Sequence, residues 1–92
     1  MARRSVWVAV LNISWRTAEK ISHRHQLTAD EVRDAVVCVA GLTYAWDVDV
    51  ERGERAIVQV HLRGRPALVV LYPTDDPIGD IWNLGSAYFT DT

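Results

Sequence analysis

The sequence predicts an α+β domain in the order β-α-α-β-β-β-β, with two helices packed on a mainly antiparallel sheet. Two segments with helical hydrophobic spacing lie in the first half of the chain. From Thr43 the hydrophobic period changes to two, and glycines then divide the chain into short strands. The 92 residues are expected to form one domain, 1–92, because a chain of this length cannot divide its core in two.

The first strand and the first helix occupy residues 6–25. The β-branched and aromatic run 6–13 predicts a strand. Ser14 is suited to cap a helix from about Trp15 to His25, in which Trp15, Ala18 and Ile21 form the apolar stripe. The polar residues expected on its solvent side are Arg16, Glu19, Lys20, His23 and Arg24.

A second helix is predicted over residues 29–39. Thr28 and Glu31 have the spacing of a capping box, in which each side chain accepts from the other's backbone N–H. Gly41 is expected to end this helix, because glycine readily adopts positive φ. Cys38 lies in an apolar run of the same segment, so we expect a buried, inert thiol.

The second half of the chain predicts an antiparallel meander. A half-exposed strand begins at Thr43, and turns at Gly53 and Gly64 separate it from the next two strands, 55–63 and 67–72. Residues 67–71 are all apolar, which predicts a central strand that is covered on both faces. The final strand is predicted over residues 81–87.

One row of polar side chains on the strand 55–63 is the first candidate for chemistry. Alternation places Gln59, His61 and Arg63 on the face opposite the apolar residues. The alternative, that the row is an ordinary solvated strand face, is the more common case for such residues. The helix end His23, Arg24 and His25 has the same two interpretations, since cations there also favour the helix dipole.

Charge is unevenly distributed along the chain. The net charge is −2, which disfavours nucleic-acid binding by bulk electrostatics. Residues 1–33 carry six basic and three acidic side chains, whereas residues 34–92 carry four and nine. The longest apolar run near the N-terminus, 6–11, is too short to span a bilayer, so we expect a cytoplasmic protein with no membrane partner. The spacing of the three histidines predicts no metal site.

The element order and several motifs resemble the RelE/ParE-like toxin superfamily, and most closely its BrnT-type toxins. The matching features lie between about residues 12 and 88. They are Ile13 to Trp15, Lys20, His25, Leu27 to Glu31, the Gly64 hairpin with Ala67 to Tyr72, and Ile81 to Ala87.

The resemblance implies an endoribonuclease toxin of a bacterial type II toxin-antitoxin pair, which inhibits translation and needs no cofactor. Its partners would be a cognate antitoxin and RNA or the ribosome, in a homodimer or a toxin-antitoxin hetero-oligomer. The catalytic side chains would be His61, Arg63 and His25. The RNA-binding side chains would be Lys20, Arg24 and Arg65.

The final strand departs from the family pattern and leaves an alternative open. Such toxins usually carry Arg or Lys there, whereas residues 81–87 carry neither, and Asp75, Asp76 and Asp80 precede them. The alternative is a catalytically inactive protein-binding or regulatory module of the same fold. Its partner surface would use Trp46 and Trp82, which are expected on strands near the sheet edges while the four tryptophans otherwise lie in the core.

Overall fold

The computed structural model describes residues 6–91. The elements are β1 (Val10–Asn12), α1 (Trp15–His25), α2 (Ala29–Val36), β2 (Thr43–Asp49), β3 (Gly53–Leu62), β4 (Arg65–Pro73) and β5 (Ile81–Phe89). The chain is therefore an α+β protein with two helices and one five-stranded sheet, as the sequence predicts.

The strands follow the order β1-β5-β4-β3-β2 across the sheet. β1 pairs with β5 in parallel, and the other three pairs are antiparallel. β4 lies in the middle, and its neighbours Val69 and Val70 are both buried although they point to opposite faces. The prediction of a central strand is confirmed, and its apolar run is buried on both faces except at Leu68, which is half-buried.

Local capping chemistry begins both helices where the sequence predicts. The Ser14 side chain accepts from the Thr17 backbone N–H at 3.1 Å. Thr28 and Glu31 form both arms of the capping box, each at 3.1 Å. These contacts satisfy backbone donors that have no partner inside a helix, which is why both helices start at these residues.

The end of α2 differs from the prediction. The helix stops at Val36, five residues before Gly41. Val37 forms a parallel bridge with Val8, and the Cys38 backbone N–H donates to the Val8 carbonyl at 2.7 Å. Pairing with the N-terminal segment therefore replaces the last helical turn. It also gives Cys38 a positive φ of 56° and leaves it exposed, so the expectation of a buried thiol is wrong.

The N-terminal strand is shorter than predicted. Only Val10–Asn12 pairs with β5, because the segment before it bonds elsewhere. Val8 bridges to the segment after α2, and the Ala9 backbone N–H donates to the Asp80 carbonyl at 2.9 Å. Residues 6–8 thus connect the sheet to α2.

The sheet has two chemically different faces. The core face carries Ala56, Val58, Val69, Leu71 and Leu84, all buried, and α2 packs on it through Val32 and Val36. The opposite face is called here the open face. Its side chains are those of Thr43, Ala45, Asp47, Arg55, Ile57, Gln59, His61, Leu68, Val70, Tyr72, Asn83, Ser86 and Tyr88.

Helix α1 lies beside β5, where β1 has ended. Ile21 turns into the core and is fully buried. Lys20, expected in solvent, is half-buried and donates from Nζ to the Gly85 carbonyl at 2.8 Å. Trp15 was expected on the buried stripe but is 78% exposed, because it opens the helix beyond the end of β1. Neither helix of the described chain is long and apolar enough to cross a membrane.

Two tryptophans stack across the core face. Trp82 is buried and donates from Nε1 to the Trp7 carbonyl at 2.9 Å, and its ring lies 6.0 Å from that of Trp46. β2 is an outer strand, as expected for Trp46. β5 is flanked by β1 and β4, so Trp82 lies one strand in from the edge of the sheet, where it is buried.

The ion pair between Arg63 and Glu31 joins the β3–β4 turn to α2, and it predicts an acid-sensitive fold. The Arg63 hydrogen bond, followed by that from the Thr28 backbone, lowers the pKa of Glu31 from 4.5 to about 2. Between these pH values the unfolded chain takes up a proton that the folded chain does not, so stability falls as pH drops from 4.5 towards 2.

Glu31→Gln should remove that part of the pH dependence, because Gln keeps a capping oxygen but cannot titrate. The measurement is urea unfolding of both proteins from pH 6 to pH 2. Asp30→Asn is the matched control, since Asp30 forms only an exposed pair with Arg33. Parallel stability curves for the Gln variant and the unsubstituted protein would contradict the prediction.

Candidate functional site

Arg63 does not lie in the predicted row with Gln59 and His61, because β3 ends at Leu62. Arg63 occupies the β3–β4 turn with a positive φ of 55°, which directs its side chain towards α2. Its guanidinium donates to both carboxylate oxygens of Glu31 at 2.6 Å and to the Gln26 carbonyl at 2.8 Å. Arg63 therefore holds the turn against α2, although it and His61 both line a shallow cavity beside Glu31 and Asp34.

Arg65 is also engaged in an internal contact. It donates to the Asp91 carboxylate at about 3.0 Å, and its guanidinium carbon lies 3.8 Å from the centre of the Phe89 ring. Alternation along β4 places it on the side of the sheet that carries Ala67, the core face. Arg65 thus ties the C-terminal end of β5 to the hairpin.

The two histidines expected to act together lie on different parts of the open face. His61 is exposed on β3, opposite Pro66, in a groove of about 500 Å³ that also contains Gln59 and Thr90. His25 packs on Tyr88 of β5, with ring centres 5.9 Å apart. β4 runs between these strands, so the structure does not bring His25 and His61 together.

Three cations meet where α1 passes the end of the open face: Lys20, Arg24 and Arg52, called here the basic cluster. Burial first, then the positive charges of Arg52 and Arg24, lower the pKa of Lys20. The ion pairs within residues 6–91 are formed by other basic side chains. No carboxylate of this part of the chain pairs with Lys20, Arg24 or Arg52. The cluster is therefore a concentration of uncompensated positive charge.

Arg52 had no role in the sequence interpretation, and a small network fixes its position. Its guanidinium carbon lies 4.2 Å from the centre of the Tyr72 ring, within cation–π distance. The Asp49 carboxylate accepts from the backbone N–H groups of Glu51 and Arg52 at 2.8 and 3.2 Å, and from the Tyr72 hydroxyl at 3.1 Å. One carboxylate thus holds both the turn that carries Arg52 and the ring beneath it.

Arg55 lies in the same network but contributes no free charge. It donates to Asp47 at 2.7 Å and to Asp49 at 3.3 Å. Its hydrogen bond lowers the pKa of Asp47, and backbone donors together with Tyr72 lower that of Asp49. Both carboxylates therefore stay ionised beside Arg55, which leaves Arg52 as the available cation of this region.

A β-bulge at Gly85 brings Arg52 and Lys20 of the basic cluster to the same part of β5. Val70 pairs with Ser86 and Leu71 with Leu84, so Gly85 has no partner on β4. The Tyr72 ring occupies the space beside it, only 2.3 Å from where a Cβ atom would stand. The Gly85 carbonyl meanwhile accepts from Lys20. Glycine thus admits the ring under Arg52 and anchors Lys20.

A polar groove of about 460 Å³ adjoins the basic cluster at the start of α1. Its lining includes Arg52 and the hydrogen-bonding side chains of Asn12, Ser14, Thr17 and Asn83. The amide of Asn12 donates to Asn83 at 3.1 Å, and the Ser14 hydroxyl donates to Thr17 at 3.0 Å. Cations beside neutral donors are the groups that bind phosphate oxygens.

Residues 6–91 contain no group of three or more His, Cys, Asp or Glu side chains placed to hold a metal ion. Comparisons of the chain with protein-family models, with curated proteins and with solved structures gave no match. The chemistry of the open face therefore rests on its own geometry.

The close contact between Gly85 and Tyr72 predicts that a single methyl group will disturb the site. Gly85→Ala should lower the free energy of unfolding by about 1–3 kcal/mol, because the buried Tyr72 ring must move and overpacking is costly. Urea unfolding measures the change. Ser86→Ala, one residue further along β5, is the matched control and should change stability little.

The same displacement should remove the contact between Arg52 and Tyr72. A Gly85→Ala protein with unchanged stability would show that the ring is not confined as described. In a protein that already carries Tyr72→Ala, the change Gly85→Ala should lower the free energy of unfolding less, since the methyl group then has space.

Proposed function

We propose that this protein is a toxin-like component of a bacterial type II toxin-antitoxin system that acts on RNA. The observation that carries the proposal is the basic cluster, Lys20, Arg24 and Arg52, next to aromatic rings on the open sheet face. Within residues 6–91 none of the three cations pairs with a carboxylate. Single-stranded RNA needs these two elements: cations for its phosphates and flat rings for its bases.

The phosphate would bind between Arg52 and Lys20. Bringing three cations together is unfavourable, and the charges of Arg52 and Arg24 add to the effect of burial in lowering the pKa of Lys20. A phosphate placed among them removes this repulsion, so binding energy is gained without a large rearrangement. The neutral donors of the adjoining groove, Asn83 and Thr17, are available to the remaining oxygens.

An RNA base would stack on the aromatic rings beyond the cluster. Tyr88 and His25 lie against each other at the C-terminal end of α1, two helical turns or fewer from Lys20 and Arg24. Base stacking on such rings contributes about 1–3 kcal/mol per base and tolerates different sequences. The strand would therefore run along α1, from the Arg52 turn towards His25.

Cleavage would use the groups at this same end. His25 would take the proton of a 2′-hydroxyl, whose oxygen attacks the adjacent phosphorus and forms a 2′,3′-cyclic phosphate. The bond from phosphorus to the 5′-oxygen breaks, and that oxygen takes a proton from water or from the protonated His25, while Lys20 and Arg52 would stabilise the charge on the phosphate. His61 lies across the sheet and would act only on a strand that crosses the open face. The expected setting is the cytoplasm, with a cognate antitoxin that inhibits the protein.

The second candidate is an inactive binding module of the same fold. Two observations favour it: Arg63 and Arg65 are both engaged in internal ion pairs, and the two histidines are far apart. Such a module would keep the basic cluster for binding but leave RNA intact.

A binding titration with matched variants tests the role of the basic cluster. A fluorescein-labelled, 12-nucleotide single-stranded RNA is titrated with protein at several salt concentrations. Arg52→Gln should weaken binding by about tenfold, because a charged hydrogen bond to phosphate is lost. The slope of log K against log salt should fall by about 0.7, the value for one phosphate contact.

Arg33→Gln is the control, since it removes the same charge from an exposed pair on α2. It should change affinity far less than Arg52→Gln. Equal effects of the two variants, or the absence of RNA binding, would contradict the proposal. The length of the RNA after incubation, read on a gel, separates the two candidates: shortened RNA indicates the enzyme and intact RNA the binding module.

A further inference from the structure

A second pocket lies on the core face, away from the basic cluster, at the loop between β4 and β5. It has a volume of about 370 Å³. Its walls combine polar groups of Thr74 and Asp76 with apolar side chains, those of Trp46, Pro73, Pro77, Ile78, Ile81 and Trp82. A volume of this size accommodates one large side chain, at the lower end of the range for ligand pockets.

The pocket lies where Trp46 of β2 and Trp82 of β5 meet on the core face. Trp82 forms a buried floor, and Trp46, on the outer strand β2, forms one half-buried wall. Ile78 stands at the rim with 80% of its surface exposed. An exposed Ile next to an aromatic wall is typical of a surface that another molecule covers, because water contact with such area is unfavourable.

The loop that forms the rim is held in place by its own hydrogen bonds. The Asp76 carboxylate accepts from the backbone N–H groups of Gly79 and Asp80 at 2.8 and 3.1 Å. The Thr74 hydroxyl donates to the Ile81 carbonyl at 2.7 Å. The pocket is therefore formed before any partner arrives, which lowers the entropic cost of binding.

Among the described residues, the loop that forms the rim carries negative charge only. Asp75, Asp76 and Asp80 lie within six residues, and no Lys or Arg occurs from residue 66 to the end of the chain. An approaching segment is attracted if it carries cations and is repelled if it carries carboxylates.

We propose that this pocket is the docking site for an extended segment of a partner protein, with one large apolar side chain flanked by Lys or Arg. The apolar side chain enters between Trp46 and Ile78, and the cations lie over Asp75 and Asp80. The proposal does not depend on RNA binding, because the pocket is on the opposite face of the sheet from the basic cluster.

The probe is a nine-residue peptide with a central Phe that has Lys, Arg and Lys on each side and a terminal Gly at each end. Its binding to the full chain is followed by anisotropy of a label on the peptide and by tryptophan fluorescence. Two counterpart peptides replace the Phe by Ser or the six cations by Glu. We expect the Phe peptide to bind about tenfold more tightly than either counterpart.

Ile78→Ser should weaken binding of the Phe peptide by about tenfold, since the rim contact is lost. The substituted side chain is exposed, so the fold should persist. Asp75→Asn should weaken binding less and reduce its salt dependence. Trp15→Ser is the matched control, because Trp15 is an equally exposed apolar residue elsewhere, and it should leave binding unchanged.

Three results would overturn the proposal. The Ser peptide binding as tightly as the Phe peptide would show attraction by charge alone. Unchanged affinity in Ile78→Ser would place the peptide elsewhere. Light scattering would show dimers or larger assemblies if Trp15 of a second copy occupied the pocket. Their loss in both Ile78→Ser and Trp15→Ser would identify that copy as the occupant.

Discussion

The bulge at Gly85 is the constraint on which the open face depends. Because this residue has no side chain and no partner on β4, the Tyr72 ring can lie beside it and the Gly85 carbonyl can point to α1. Tyr72 supports Arg52, and the carbonyl holds Lys20. Two cations from distant parts of the chain are therefore brought to one place by a single irregularity in the sheet.

The distribution of ion pairs decides which cations are available for binding. The protein carries a net charge of −2, yet this number says little about the site. Arg55, Arg63 and Arg65 are each paired with carboxylates, so they stabilise the sheet and its turns. The carboxylates that pair with these arginines do not pair with the basic cluster, which therefore keeps its positive charge.

Local features of the fold were predictable from the sequence, whereas features that depend on how distant segments pair were not. The Thr28 and Glu31 capping box depends on residues three apart, and the apolar run of β4 indicated a central strand directly. The early end of α2 depends on the bridge between Val37 and Val8, a contact over 29 positions that no local pattern contains.

The same distinction applies to the candidate site. Alternation placed His61 correctly on an exposed strand face, but Arg63 left the row because it lies in the turn with positive φ. Arg52 could not be predicted because a turn residue has no periodic pattern. Tyr72 lies beneath it only because of the pairing of β2, β3 and β4. Lys20 and Arg24 were selected from the family resemblance, which gave no indication of their neighbour Arg52.

The most direct test of the account is NMR mapping of the surface that meets RNA. Side-chain signals of the arginines, Lys20 and the tyrosines are followed while a single-stranded RNA is added to the isotope-labelled protein. The account predicts that signals of Lys20, Arg52, Tyr72 and Tyr88 shift together, while those of Arg63 and Arg65 stay in place. Shifts confined to Arg63, Arg65 and the β3–β4 turn, with the basic cluster unaffected, would contradict it.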